Sequence, residues 1–258
     1  MNIVVCVKQV PDTAAKLEID ASGQVSWGDA GMVINPWDEY AVEAALQVAS
    51  ANGGKVTALS LGPESAQDAL KHALAMGCKG ATLVSDPALS AVDTQGAARA
   101  LAAAIQQMDD VQLVFFGKQA VDGDGGVTAA QTARVLGWDM VSFAATLPEI
   151  DGGTLKADRA IEEGRQSVTA ALPAVVSVVK DVGEPRYPSF MGIRKASRAK
   201  IPVLSLGDLG IEAPTKVVDW PELMNLPTED VSVEMITGDS PADIANKLAD
   251  KILAEKVL

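Results

Sequence analysis

VQLVFFGKQAVDGDGGVTAAQ, residues 111–131, joins a continuously apolar run, Val111 to Phe116, to a segment, Thr128 to Leu136, with a helical pattern. A strand apolar on both faces is buried on both faces, the condition of a parallel strand covered by helices on either side. Between strand and helix stand two aspartates and four glycines, where a short turn would suffice. The fold class follows from the strand and the question of function from the loop.

Working outward, short β-branched runs alternate with longer helical patterns along most of the chain. Ile3 to Val7, Val56 to Leu61, Ala81 to Val84 and Ala174 to Val179 read as strands, and Glu39 to Ala49, Glu64 to Met76, Thr94 to Gln107 and Ala129 to Leu136 as helices. This alternation predicts an open α/β fold with a mostly parallel sheet and helices on both faces. Between Leu147 and Thr169 the pattern changes to alternating segments around a Gly-Gly turn, a hairpin or meander attached to the sheet. After about Lys180, prolines at 185, 188, 202, 214, 221 and 227 break the periodicity until Ser240, which is placed to cap an amphipathic helix reaching Lys256. The expected organisation is a core over 1–183, a recognition segment over 184–200 and an extended C-terminal arm over 201–258. An arm without a core of its own needs a partner surface to lie on.

Composition narrows the function. A formal charge of −13 argues against nucleic-acid binding, which draws affinity from cations on phosphates. Cys6 and Cys78 form neither a zinc pattern nor a disulfide framework, which fits a reducing cytoplasm. MNIVVCVKQV has too few apolar residues before Lys8 for a membrane span or signal peptide, and reads as the first strand. His72, the only histidine, reads as a lone surface residue. With no HExxH, no Cys/His cluster and no nucleophile elbow, neither a metal site nor a set of catalytic residues is expected.

Ligands of open α/β sheets bind where the carboxyl ends of strands converge. The first strand runs into Cys6-Val7-Lys8, the second into Leu61-Gly62-Pro63 and the fourth into Gly117, so three strand ends face one crevice. Gly123, Gly125 and Gly126 let backbone N–H groups approach an anion, and the helix from Thr128 offers its positive end. Neither a Walker A nor a GxGxxG pattern is present. Asp124 is placed to cap the helix or accept loop amides, and Asp122 to meet a ribose hydroxyl or base amine; the competing reading is a plain connecting turn. In INPWDEYAVEAA, from Ile34, Asn35-Pro36 forms a turn and Asp38 the expected N-cap, with Trp37 packed nearby. RYPSFMGIRKASRAK, from Arg186 to Lys200, reverses the local charge and mixes Tyr187, Phe190 and Met191 with Arg186, Arg194 and Lys195, either an interface or a solvated basic face.

Taken in order, VVCVKQVPDT, INPWDEYAVEAAL, SLGP, ALAMGCKGATLVSD, GKQAVDGD and PRYPSFMGIRKA resemble the beta subunit of electron-transfer flavoprotein, the family that includes FixA, over nearly the whole chain. The resemblance implies a Rossmann-like, adenine-nucleotide-binding core in a heterodimer with an alpha subunit that holds the redox-active FAD. The arm would reach over that subunit, and a recognition loop would dock on acyl-CoA dehydrogenases. It implies an electron carrier passing electrons to a quinone-linked or ferredoxin/flavodoxin acceptor, without catalytic residues of its own. Ordinary members bind AMP structurally; in electron-bifurcating members a second FAD takes the same site.

Carried over motif by motif, the nucleotide contacts would be Cys6, the turn Asn35, Pro36, Trp37 and Asp38, Leu61, and the loop Gly117, Lys118, Gln119, Ala120, Val121, Asp122, Gly123, Asp124, Gly125, Gly126, Val127 and Thr128. The docking anchor falls at Phe190, where the family usually has Leu. Asp122-Gly123-Asp124 matches the bifurcating pattern and Thr128 the ordinary one, while Val127 replaces a glutamine common to both. The start, VVCVKQVPDT, and Asp93-Thr94 lean towards the bifurcating group. A free-standing adenine-nucleotide-binding or hydrolysing protein is the reading from another class; it predicts a stable monomer that binds ATP.

Overall fold

In a computed structural model of the chain, the described residues are 1–20, 23–90, 92–218, 223–225, 227 and 232–256. Pro221 and most of the segment 219–231 that the arm was expected to include lie outside them. Two compact units are distinguished, Met1–Leu223 and Met224–Leu258.

The first unit opens on β1 (Asn2–Cys6) and makes an excursion through β2 (Gln9–Pro11), β3 (Glu18–Ile19), β4 (Val25–Ser26) and β5 (Met32–Ile34). In it β2 pairs with β5 and β3 with β4, both antiparallel. There follow α1 (Pro36–Ala51), β6 (Lys55–Leu61), α2 (Gln67–Met76), β7 (Gly80–Val84), α3 (Thr94–Gln106), β8 (Val111–Gly117), α4 (Thr128–Leu136) and β9 (Asp139–Ala144). A meander of β10 (Glu149–Asp151), β11 (Thr154–Ile161) and β12 (Gly164–Ala171) precedes β13 (Ala174–Val178). The unit then adds α5 (Phe190–Ala196), β14 (Val203–Leu204) and α6 (Leu206–Leu209).

One sheet runs in the order β10-β11-β9-β13-β8-β1-β6-β7-β14, with β12 paired to β11. From β9 to β14 every neighbouring pair is parallel, and the meander strands are antiparallel. This is the open α/β fold expected from the alternating pattern, of the Rossmann-like kind that the resemblance implies. The expected turn at Gly152-Gly153 joins β10 to β11, and a second turn after Ile161 makes the insertion a meander of three strands. β9, whose sequence DMVSFA mixes polar and apolar residues, has no apolar run to betray it.

Each central strand feeds two cores. Ile3, Val5, Leu113, Phe115 and Val176 pack against α1 and α2, while Val4, Cys6, Val114, Phe116 and Val175 pack against α3 and α4. Successive strand residues point to opposite faces, so a run such as LVFF must be apolar throughout to serve both. The helices meet the sheet largely through alanines, among them Ala41, Ala44, Ala45, Ala69 and Ala73 on one side and Ala100, Ala104 and Ala129 on the other. Small side chains bring helix and strand close, which accounts for an alanine-rich core with few aromatics.

The topology sets the site. From β1 the chain builds outward through β6 and β7, then returns to place β8 on the other side of β1. Between β1 and β8 the connections diverge to opposite faces, which opens a crevice at the carboxyl ends of both strands.

In the second unit, α7 (Pro241–Ala254) begins where expected: Ser240 is its N-cap, and the Ser240 hydroxyl accepts from the Asp243 amide at 3.2 Å. Lys247 pairs with Asp243 at 2.8 Å, and Lys251 pairs with Glu234. No helix among the described residues is long and apolar enough to cross a membrane.

Candidate nucleotide site

The site is organised by the turn Asn35-Pro36-Trp37-Asp38. Proline at the first helical position suits the start of α1, because its missing N–H would be unpaired there. Asn35 occupies the N-cap position but its side chain caps nothing. Instead it reaches across to the glycine loop, donating from Nδ2 to the Gln119 carbonyl at 2.8 Å and accepting the Val121 amide at 3.2 Å. Asp38, expected as the N-cap, lies inside the first turn and is buried. Its carboxyl accepts the Lys8 amide at 2.8 Å and the Gly117 amide at 3.2 Å, so it holds the ends of β1 and β8 together. The cap expectation fails because the proline starts the helix earlier and the carboxylate is drawn to two unpaired strand-end amides.

Gly117 is required by this arrangement. A Cβ at that position would lie 2.5 Å from Asp38 Oδ1 and 2.7 Å from the Trp37 carbonyl oxygen. The helix start can therefore close on β8 only where no side chain intervenes. Trp37 is partly buried, tilted against Tyr40 with ring centroids 6.3 Å apart, and the Lys118 ammonium sits 5.3 Å from its ring centre.

Beyond Gly117 the loop is self-supporting. The Ala120 amide donates to the Gly125 carbonyl at 3.1 Å, and Gln119 Nε2 donates to Asp124 Oδ1 at 2.6 Å. Asp124 does not cap α4 and accepts the side-chain amide of Gln119 instead: its left-handed backbone, φ 50°, turns it back towards that residue. Asp122 pairs with the Lys8 ammonium at 2.7 Å. Val127 occupies the N-cap position of α4 with no side-chain cap, which leaves the amides of that helix start free of an internal carboxylate.

These elements enclose a cavity of about 490 Å³, within the range of small-molecule sites. Cys6, Asn35, Asp38, Leu61, Gly117, Lys118, Gln119, Ala120, Asp122, Gly123, Gly125, Gly126 and Thr128 line it, and of the expected contacts Pro36, Trp37, Val121, Asp124 and Val127 do not. Pro36 and Trp37 begin α1, Val121 is held against Asn35, Asp124 against Gln119, and Val127 is exposed. The opposite wall comes from the end of β7 and the start of α3: Leu89, Ser90, Val92, Asp93, Thr94, Ala97 and Leu101. Of these only Asp93-Thr94 stands out in the sequence, as a family marker. Applying the strand-end rule to β7, whose run closes at Val84, would have nominated this wall.

Asp93 ties three pieces together. Its Oδ1 accepts the Gly96 amide at 2.9 Å and caps α3, while Oδ2 accepts the Val217 and Val218 amides at 2.7 and 3.0 Å. Those bonds, led by the one from Gly96, hold its carboxyl below the ordinary value. Of the two helix starts at the cavity, α3 thus carries its own anion and α4 carries none.

Burial and, second, the neighbouring Asp38 raise the Cys6 thiol well above its usual range, and burial pushes Cys78 up to about 12, so neither serves as a thiolate nucleophile. His72 Nε2 on α2 lies 2.8 Å from Glu39 Oε1 on α1. Among the described residues no three His, Cys, Asp or Glu side chains converge as a metal site.

Arg186 bonds to Glu43 of α1 at 2.6 Å, while Tyr187, Phe190 and Met191 stand 96%, 93% and 75% exposed. Arg194 and Lys195 occupy the last turn of α5. Met191, Arg194 and Lys195 line one shallow surface pocket, and none of these residues lines the cavity.

Asp38 generates a prediction. Burial raises its carboxyl to about 7, opposed by the Lys8 amide, the Asn35 side chain and the Gly117 amide. The folded protein holds this proton more tightly than the unfolded chain, so the contribution is complete below the unfolded carboxyl's pKa and falls as pH rises through about 7. Urea midpoints at pH 5 and pH 8 should show wild type losing about 3 kcal/mol more than Asp38→Asn over that interval. Equal pH slopes for the two proteins would contradict the assignment.

A family model described as the electron transfer flavoprotein domain matches residues 25–209. Over the full length of both chains the protein is 34% identical to the electron transfer flavoprotein subunit beta of Thermoanaerobacterium thermosaccharolyticum. It is 37% identical to that of Mycobacterium leprae, over 82% of this chain and 81% of the relative. Protein FixA of Azorhizobium caulinodans is 33% identical over 82% of this chain and 78% of its own length. A Rossmann-like sheet with its cavity at the switch between β1 and β8, matched along most of its length to these proteins, belongs to the electron transfer flavoprotein beta-subunit family and has its role in electron transfer.

Proposed function

We propose that the chain is the beta subunit of a cytoplasmic heterodimer whose alpha subunit holds FAD, and that its own cavity binds AMP structurally. In this reading residues 1–183, completed by β14 and α6, form the nucleotide-binding core, 184–200 dock an acyl-CoA dehydrogenase-type donor, and the arm expected over 201–258 leaves the core after α6 to lie on the alpha subunit. FAD supplies the redox chemistry when bound. This chain contributes binding and docking rather than acid–base catalysis, because electron transfer asks for proximity and a tuned flavin environment.

The observation that carries the AMP assignment is the difference between the two helix starts. The uncapped start of α4, beside Gly123, Gly125 and Gly126, is one seat for an anion. The start of α3 is already filled by the Asp93 carboxylate, which would repel a second phosphate. Lys8 and Lys118 supply positive charge within the same cavity, the first shared with Asp122. The apolar wall of Leu89, Val92, Ala97 and Leu101 favours a second reading, in which a larger ligand, FAD, takes this site in an electron-bifurcating complex passing electrons to a ferredoxin or flavodoxin. In the AMP reading the acceptor is quinone-linked.

Exposed Tyr187, Phe190 and Met191 beside Arg194 and Lys195 support the docking role, since aromatic anchors with cations characterise protein interfaces. The amphipathic α7, none of whose residues is buried, supports packing of the arm on a partner.

Nucleotides released by denaturing the purified heterodimer should amount to one FAD and one AMP; two FAD and no AMP would replace this reading with the bifurcating one. Truncating Phe190→Ala should slow electron transfer from an acyl-CoA dehydrogenase at least about tenfold, as for an interface anchor, with nucleotide content unchanged. Unchanged transfer would remove the docking role from α5.

A further inference from the structure

We infer that Glu43 of α1 is the positioning residue of the docking surface, holding Arg186 so that Tyr187, Phe190 and Met191 are presented in one fixed arrangement. This rests on the docking reading above and adds the device that would make it work.

The segment between Gly183 and Ser189 has no helix or strand to define its path. It is instead tied down at Arg186. The Arg186 amide donates to Glu43 Oε2 at 3.2 Å, Nε to the same oxygen at 2.6 Å, and Nη2 to Oε1 at 2.9 Å. The side chain of Glu43 is only 6% exposed, and its remaining bond comes from Gln47 Nε2 at 2.8 Å. A carboxylate so buried demands a cation, and the planar guanidinium meets both of its oxygens at once. Burial alone would raise the Glu43 carboxyl, but the bonds from Arg186 and Gln47 outweigh it and hold it below the ordinary value. Including the backbone amide fixes the main chain as well as the side chain, one residue before Tyr187.

A second contact fixes the far side of the anchors. A Cβ at Gly192 would lie 2.4 Å from the Ala75 carbonyl oxygen, so α5 rests directly on the last turn of α2. Ser189 caps α5, its hydroxyl accepting the Gly192 amide at 3.0 Å. The exposed anchors are therefore bracketed by two attachments to the helical layer, at Arg186 and at Gly192. Large side chains left in water have nothing of their own to order them, and a brace prepaid in the free protein lowers the ordering cost at docking.

The test uses the purified heterodimer with an acyl-CoA dehydrogenase and its acyl-CoA substrate as donor, and dithionite as a reductant that needs no docking. Glu43→Gln should raise the KM for the dehydrogenase about tenfold while kcat at saturating donor and reduction by dithionite stay unchanged, and amide exchange over residues 184–196 should quicken. Arg186→Gln should do the same, and the double variant should be no worse than either single, because both act through one contact. Arg186→Lys, which keeps the charge but not the fork, should fall between. An unchanged KM in Glu43→Gln, with the Phe190→Ala variant still slow, would overturn this inference and leave the docking reading standing. An unchanged KM in both would remove the docking reading itself. Loss of flavin or nucleotide from Glu43→Gln would assign Glu43 to folding alone and also overturn it.

Discussion

Everything at the site depends on one buried carboxylate with two backbone amides. Asp38 accepts the Lys8 amide from the end of β1 and the Gly117 amide from the end of β8, the two strands between which the sheet switches direction. Strand ends in an open sheet carry N–H groups that no neighbouring strand pairs, and leaving them buried and unpaired costs about 1–3 kcal/mol each. A carboxylate on the first turn of a helix satisfies both and also sits favourably at the positive end of that helix. The fit requires that Gly117 have no side chain, and it draws α1 onto the crevice as its floor.

With that floor in place, the other parts acquire their positions. Asn35, one turn earlier, pins the loop at Gln119 and Val121, and the loop closes on itself through Ala120 and Gly125. Asp122 swings to Lys8 and Asp124 to Gln119, so both loop acids are engaged with protein groups rather than aimed at an anion. This removes the difficulty that two aspartates in a phosphate-binding loop would otherwise pose. The same helix that starts at the cavity carries Glu43 further along. α1 is thus a strut with the candidate cavity at one end and the Glu43–Arg186 contact on its flank.

Much of the fold was legible in the residues themselves. Runs such as LVFF are apolar on both faces because two helical layers need them, and that pattern survives translation into structure almost residue by residue. β9 was illegible because DMVSFA lies next to the meander and is only partly buried. Of the site, three strand ends and the glycine loop could be read from local patterns. The roles of Asp38 and Glu43 could not, since each is defined by a partner far along the chain, Gly117 at a separation of 79 residues and Arg186 at 143. A carboxylate in the first turn of a helix looks like a cap whatever it does. The wall formed by Leu89, Val92 and Leu101 carries no local signal for a related reason: apolar residues before and within a helix read as core until the strand beside them is seen to end at a crevice.

The central claim is that the cavity between β1 and β8 holds the nucleotide on the loop and the start of α4. Hydrogen–deuterium exchange on the heterodimer, stripped of its nucleotide and then supplied with AMP, tests it most directly. Protection should return together at Cys6 to Lys8, at Gly117 to Thr128 and in the first turn of α4. Protection appearing elsewhere, or no change over these three segments, would contradict it.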